Sequence, residues 1–189
     1  TIVAVDGKSE HDAGFKQLDD QSVLISGANQ PGDSYQLTVR TELKTVRSVR
    51  LEALKHESLP AGGPGRAGNG NFVLSEIWFR TGAGRELRLN KAQAEHSQPK
   101  FDVSGAIDGK DSTGWAINNA PEGGPNHNRV AWFVLPVPLE LGDDEALTFT
   151  LQFNNGQAAY NLGRLRLSLS DQEWVDNPSA EALARLIRI

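Results

Sequence analysis

The chain has 189 residues, 38% of them hydrophobic and 23% charged, the make-up expected of one soluble globular domain with a sizeable core. A formal net charge of −5 argues against a dedicated nucleic-acid binder, and no apolar run approaches the roughly 18 residues that a membrane-spanning helix needs. The absence of cysteine excludes disulfides, thiolate nucleophiles, zinc–thiolate sites and covalently attached haem, while the absence of methionine and the abrupt opening on Thr1 and Ile2 point to a piece of something longer.

Period-two alternation of apolar and polar residues marks strands with one buried and one wet face. In chain order the candidates are 22–26, 34–41 (Tyr35, Leu37 and Val39 on one side), 46–54, 71–79, 129–135, 146–153 (Leu147, Phe149, Leu151 and Phe153 inward) and 163–170 (Leu165, Leu167 and Leu169 inward). By the same parity Trp78 falls with Phe72 and Leu74, and Trp132 with Val134, which makes both core residues. Glycine, proline, Asn and Asp fill the gaps. The terminal stretch 176–189 alone has helical spacing, with Ser179 as N-cap and Ala182, Leu183, Leu186 and Ile187 on one face. The expectation is an all-β protein, an antiparallel jelly-roll β-sandwich over residues 1–175, followed by a short C-terminal helix or linker over 176–189.

Residues 62–72 contain Gly63, Gly65 and Gly68 in the G-x-G-x-x-G spacing of a dinucleotide-binding turn. That turn works by ending a strand and opening a helix whose N–H groups hold pyrophosphate. Here the following residues, 71–79, read as a strand, so the glycines are expected to serve a tight loop that lets backbone approach backbone. Arg66, inside the loop, can donate up to five hydrogen bonds to surrounding carbonyls and is read as a brace. Asn69 belongs to the same loop.

The segments 50–54, 62–76, 106–117 and 162–170 together resemble a stretch found in large planctomycete-type cytochrome c proteins, beside their haem domain. The resemblance runs from about residue 18 to the terminal helix. It implies an accessory module of an exported multidomain protein, hence a periplasmic or extracellular location, with the other domains of the parent chain as partners. No Cys-x-x-Cys-His is present, so no haem belongs on this segment. More broadly, residues 106–117 (Ala106 to Ile117) resemble the Asp-Gly…Thr-x-Trp signature of galactose-binding-like, discoidin-like β-sandwiches, which include many carbohydrate-binding modules. In that superfamily an acidic loop commonly holds a structural calcium ion, closed by a strand glutamate. The resemblance implies Asp108, Asp111 and Thr113 as ligands, with Glu76 as the closing residue. Glu76 precedes the loop here, so the order of elements is permuted.

Calcium takes six to eight hard oxygens, and Asp108, Asp111, Thr113 and turn carbonyls could supply many of them. The alternative is an Asp-Gly turn whose carboxylates bond nearby N–H groups. Trp115 reads as a core aromatic. Tyr160, beside Asn154, Asn155 and Asn161, is the better loop aromatic for a sugar, and Trp174 is a further candidate. Arg164 and Arg166, joined by Arg40 and Arg50, either form a basic face for an anionic polysaccharide or keep an outer sheet face wet. The four histidines lack metal spacing and G-x-S-x-G is absent, so no catalytic residue is assigned. The reading is therefore a non-catalytic module that binds polysaccharide and carries structural calcium. The alternative is a structural module that docks neighbouring domains. Neither nucleic acid nor membrane insertion is expected.

Overall fold

The computed structural model describes residues 3–121, 124–156 and 159–173, with side chains from residue 6 onward. The chain is an all-β sandwich of two antiparallel sheets. The first sheet has five strands, in the order β1 (Val3–Ser9), β4 (Ser34–Arg40), β12 (Ala146–Gln152), β7 (Glu76–Thr81) and β8 (Glu86–Leu87). The second has six, in the order β2 (Ala13–Gln17), β3 (Val23–Gly27), β13 (Arg164–Ser170), β5 (Thr45–Ala53), β11 (Arg129–Glu140) and β9 (Lys91–Ala94). A small pair, β6 (Val73–Leu74) with β10 (Trp115–Ala116), lies outside both. The chain crosses directly from one sheet to the other between β1 and β2, β3 and β4, β4 and β5, β8 and β9, β11 and β12, and β12 and β13, and from β5 to β7 by way of β6. No helix among the described residues is long and apolar enough to cross a membrane. The boundary at 175/176, the terminal helix and Trp174 lie outside the described residues.

Alternation explains the layers. Leu37, Val39, Leu147, Phe149 and Leu151 point inward from the first sheet and are at most 1% exposed, as are Val49, Leu51, Phe133 and Leu165 from the second. Full burial of each such side chain is worth about 1.5–3 kcal/mol. The register places Phe149 beside Phe79, and their rings stack with centroids 4.8 Å apart. On the opposite face of the same strands, Thr38 and Thr148 sit across from each other with their hydroxyls 3.3 Å apart.

Two irregularities alter the expected parity. The run 71–79 is not one strand: β6 and β7 are separated by Ser75, whose N–H donates to Gln152 O at 2.8 Å. The break moves Ile77 and Phe79 into the core beside Phe72 and Leu74, and turns Trp78 to the outer face, opposite Thr150. Trp132 likewise stands on an outer face, half-buried between Arg50 and Gln93, with Ala131 and Phe133 taking the inward positions. Further along β11, the register against β5 slips between Val134 and Leu139. The intervening Pro136, Val137 and Pro138 bulge out, leaving Val137 66% exposed.

The glycine loop does not begin a helix. A 3₁₀ turn, Pro60–Gly62, leads into it, and the chain then runs back on itself, with Gly65 N donating to Gly70 O at 2.9 Å. A Cβ built on Gly65 would lie 1.9 Å from Asn71 O, and one on Gly63 would lie 2.5 Å from Gly70 O. Gly68 faces open space. Gly65→Ala is therefore expected to lower stability by about 2 kcal/mol or more, through backbone displacement, whereas Gly68→Ala stays within about 0.5 kcal/mol. Urea unfolding of the two variants side by side checks this.

Candidate functional site

One end of the sandwich gathers three loops: 27–33, the glycine loop 62–71 and 154–163. Gly65 forms an antiparallel bridge with Leu162, Arg66 N donates to Asn161 O at 2.8 Å, and Val73 N donates to Tyr160 O at 2.9 Å. The glycine loop thus runs as a short ribbon alongside 160–163. Arg66 donates to Ala28 O (2.7 Å) and Gly27 O (2.6 Å), tying the ribbon to loop 27–33. Asn161 is 1% exposed, and its Nδ2 donates to Asn29 Oδ1 and Gln30 O. Asn29 Nδ2 in turn donates to Arg66 O and Ala159 O. Asn69 Oδ1 accepts from Asn71 N, and the Asn71 side chain reaches Gln98 Oε1 and Ile117 N. Beneath the rim, burial pushes the Tyr35 phenol well above its usual value, and the Arg66 guanidinium pulls it partly back. Tyr160 itself is half-buried, with Asn154 and Asn155 half-buried nearby in sequence. The result is an amide-rich rim with one aromatic, fixed by side chain to backbone bonds.

The Asp108 loop belongs elsewhere, against the outer face of the first sheet. A 3₁₀ turn at Val103–Ala106, capped by Asp102 Oδ1 on Ser104 N, delivers the chain to residues 107–114. Glu76 Oε1 accepts from Gly109 N (2.6 Å) and Lys110 N (3.1 Å). Asp108 Oδ1 accepts from Lys110 N (3.0 Å) and lies 2.8 Å from Thr113 Oγ1, which is equally close to Lys110 O. Asp111 is exposed. Trp115 follows the loop into the interior, fully buried, donating from Nε1 to His96 O and meeting Phe72 edge-on.

A calcium cage needs oxygens converging on one point, yet here the loop turns N–H groups toward Glu76 and Asp108. Among the described residues no group of three or more His, Cys, Asp or Glu side chains could hold a metal ion. In this arrangement Glu76 closes the loop by accepting its amides, while Asp108 Oδ1, Lys110 O and Gly105 O surround the Thr113 hydroxyl.

Beside Glu76 on the same outer face stands Trp78, 9% exposed, with the Arg88 guanidinium 4.6 Å from its ring centroid. Trp78 Nε1 is buried without a hydrogen-bond partner. Arg88 also pairs with Glu86 Oε1 at 2.7 Å and approaches Glu76 Oε2 at 3.8 Å. Arg80 takes the other Glu86 oxygen at 2.9 Å. The two guanidiniums hold the Glu86 carboxyl below its usual range. This group was hidden from strand parity by the Ser75 break. The hairpin turn at 81–84 offered a signal, because pairing Phe79 with Leu87 sets Trp78 opposite Arg88.

Arg164 and Arg166 lie on the outer face of the second sheet, away from Tyr160 in role and setting. Arg166 makes a two-point contact with Glu52 (2.7 and 2.9 Å), and Arg50 adds a third link to the same carboxylate at 3.1 Å. Arg164 donates to Asp20 Oδ2, Ser22 Oγ and Lys55 O. The Ser22 hydroxyl, then Arg164 and Arg166, hold the Asp20 carboxyl below its ordinary value. Arg40 donates to Asp144 O. Arg164 and Arg166 thus occupy internal partnerships with Asp20, Ser22, Lys55 and Glu52.

Two contacts resemble fragments of nucleophilic machinery. Ser58 Oγ lies 2.7 Å from His56 Nδ1, but Ser58 N also donates to that nitrogen, so both are local turn bonds on an exposed loop. Ser9 donates to the buried Asp33 carboxylate and not to His11, whose Nδ1 is 3.6 Å from Asp33. Neither has the nucleophile, base and orienting acid in line.

No protein-family model matches the chain, and no curated protein matches it.

Burial raises the Glu76 carboxyl above the ordinary glutamate value, against the pull of the two amides it accepts from. The folded state then keeps its proton to higher pH than the unfolded chain does. That contribution to stability is full below the unfolded value and is lost as pH rises through the folded one. Glu76→Gln is expected to flatten the fall in stability as pH rises above the unfolded glutamate value of about 4.3, while Glu76→Ala, leaving Gly109 N without its acceptor, lowers it throughout. Urea titrations across that range check both.

Proposed function

We propose that the protein is a non-catalytic carbohydrate-binding module, an accessory part of a larger exported protein of the cytochrome type. The observation that carries this reading is the loop rim at one end of the sandwich, where half-buried Tyr160 sits on a ribbon fixed by Arg66, Asn29 and Asn161. Sugars present C–H faces for an aromatic ring and hydroxyls for amides. A rim bonded to its own backbone loses little freedom when a ligand docks, which favours affinity. The motif resemblance to cytochrome-associated segments and to galactose-binding-like sandwiches supports the same assignment. A polysaccharide is the expected ligand.

Affinity electrophoresis against soluble glycans, with pull-down on insoluble ones, tests the reading. The native chain is retarded by at least one polysaccharide, and Tyr160→Ala weakens that binding about tenfold, the scale of losing one well-packed aromatic contact. Silence across the panel, together with firm association to a haem domain of the parent protein, would identify a docking module instead.

A further inference from the structure

The outer face of the five-stranded sheet is the most distinctive surface that this rim does not use. Register sets Lys8 against Gln36, Gln36 against Thr150, and Thr150 against Trp78, with Arg88 over the Trp78 ring at the end of the rank. With strands about 4.8 Å apart, the rank from Lys8 to Trp78 spans about 15 Å. It holds no aliphatic side chain and a single aromatic one.

From this geometry we infer that the face binds a neutral polysaccharide chain lying across the strands, with the Trp78 indole as its platform. The inference rests on the carbohydrate-binding reading above and gives it a second, specific site. Three observations point to the ligand. First, Trp78 Nε1 is buried with no partner, and an unpaired buried donor is a cost that a hydroxyl acceptor would remove. Secondly, what covers the ring is Arg88, a side chain that is 55% exposed and bonded at its far end to Glu86. A sugar seated on the ring displaces that guanidinium. Thirdly, the charges cancel in place: Glu86 is shared by Arg80 and Arg88, and Glu76 faces Arg88. A nucleic acid or an anionic glycan would need uncompensated cations, and a stable protein partner would need an apolar centre. Neutral sugar rings, with apolar faces and hydroxyl rims, suit one indole in a rank that also presents the exposed amide of Gln36.

The test compares variants of the full chain on the neutral polysaccharide that retains it, using affinity electrophoresis and isothermal titration. Trp78→Phe, which keeps a ring and loses the N–H and part of the stacking area, is expected to weaken binding about five- to tenfold. Gln36→Ala, an exposed change two strands away that leaves folding intact, weakens it about threefold. Thermal melts establish that each variant is folded. Binding that is unchanged in both variants but lost in Tyr160→Ala overturns this face and leaves the module's function standing. Failure of the native chain to bind any neutral polysaccharide overturns both, and retention on anionic glycans alone overturns the ligand class assigned here.

Discussion

Two sheets pressed face to face bury a layer of Leu, Val and Phe, and every other feature of the molecule is arranged around keeping that layer closed. Because side chains in a strand alternate, each inward Leu or Phe obliges its neighbours to face out. The outer faces are therefore by-products of core packing before they are anything else. On the second sheet they carry a lattice of arginines and acids that satisfy one another, as Glu52 does with Arg50 and Arg166. On the first they carry hydroxyls, amides, Trp78 and the linked charges of Glu76, Arg80, Glu86 and Arg88.

The glycine loop shows how a sequence motif takes its meaning from its surroundings. In a dinucleotide fold the glycines admit a phosphate. Here Gly63 and Gly65 admit the chain's own carbonyls, at residues 70 and 71, where any side chain would collide. Arg66 bonds to the Gly27 and Ala28 carbonyls and braces the loop from within. Internal partners recur in the Asp108 loop, where Glu76 receives the amides of Gly109 and Lys110.

Much of the sandwich was legible in advance, because the alternation of residues such as Leu147, Phe149 and Leu151 is a direct image of burial. Shorter strands were not. β2, β8 and β9 contain two to five residues, too few to set a period, and their inward positions are held by Ala13, Leu87 and half-buried Ala92 and Ala94. Parity also failed where the backbone kinks, since Ser75 shifts Trp78 by one step and so reverses its face. The site residues were harder still. Arg66 and Trp115 have roles set by local chemistry and could be read from their neighbours. The pairing of Arg164 with Asp20 joins residues 144 positions apart, which only the closed fold brings together.

The bulge at Pro136–Pro138 bears on how such molecules behave side by side. Two imino residues separated by one position cannot donate to a neighbouring strand, and the slipped register pushes them outward with Val137 between them. A foreign β-segment arriving there finds no ladder to extend. Crowded copies are thereby denied a seam along this stretch of β11.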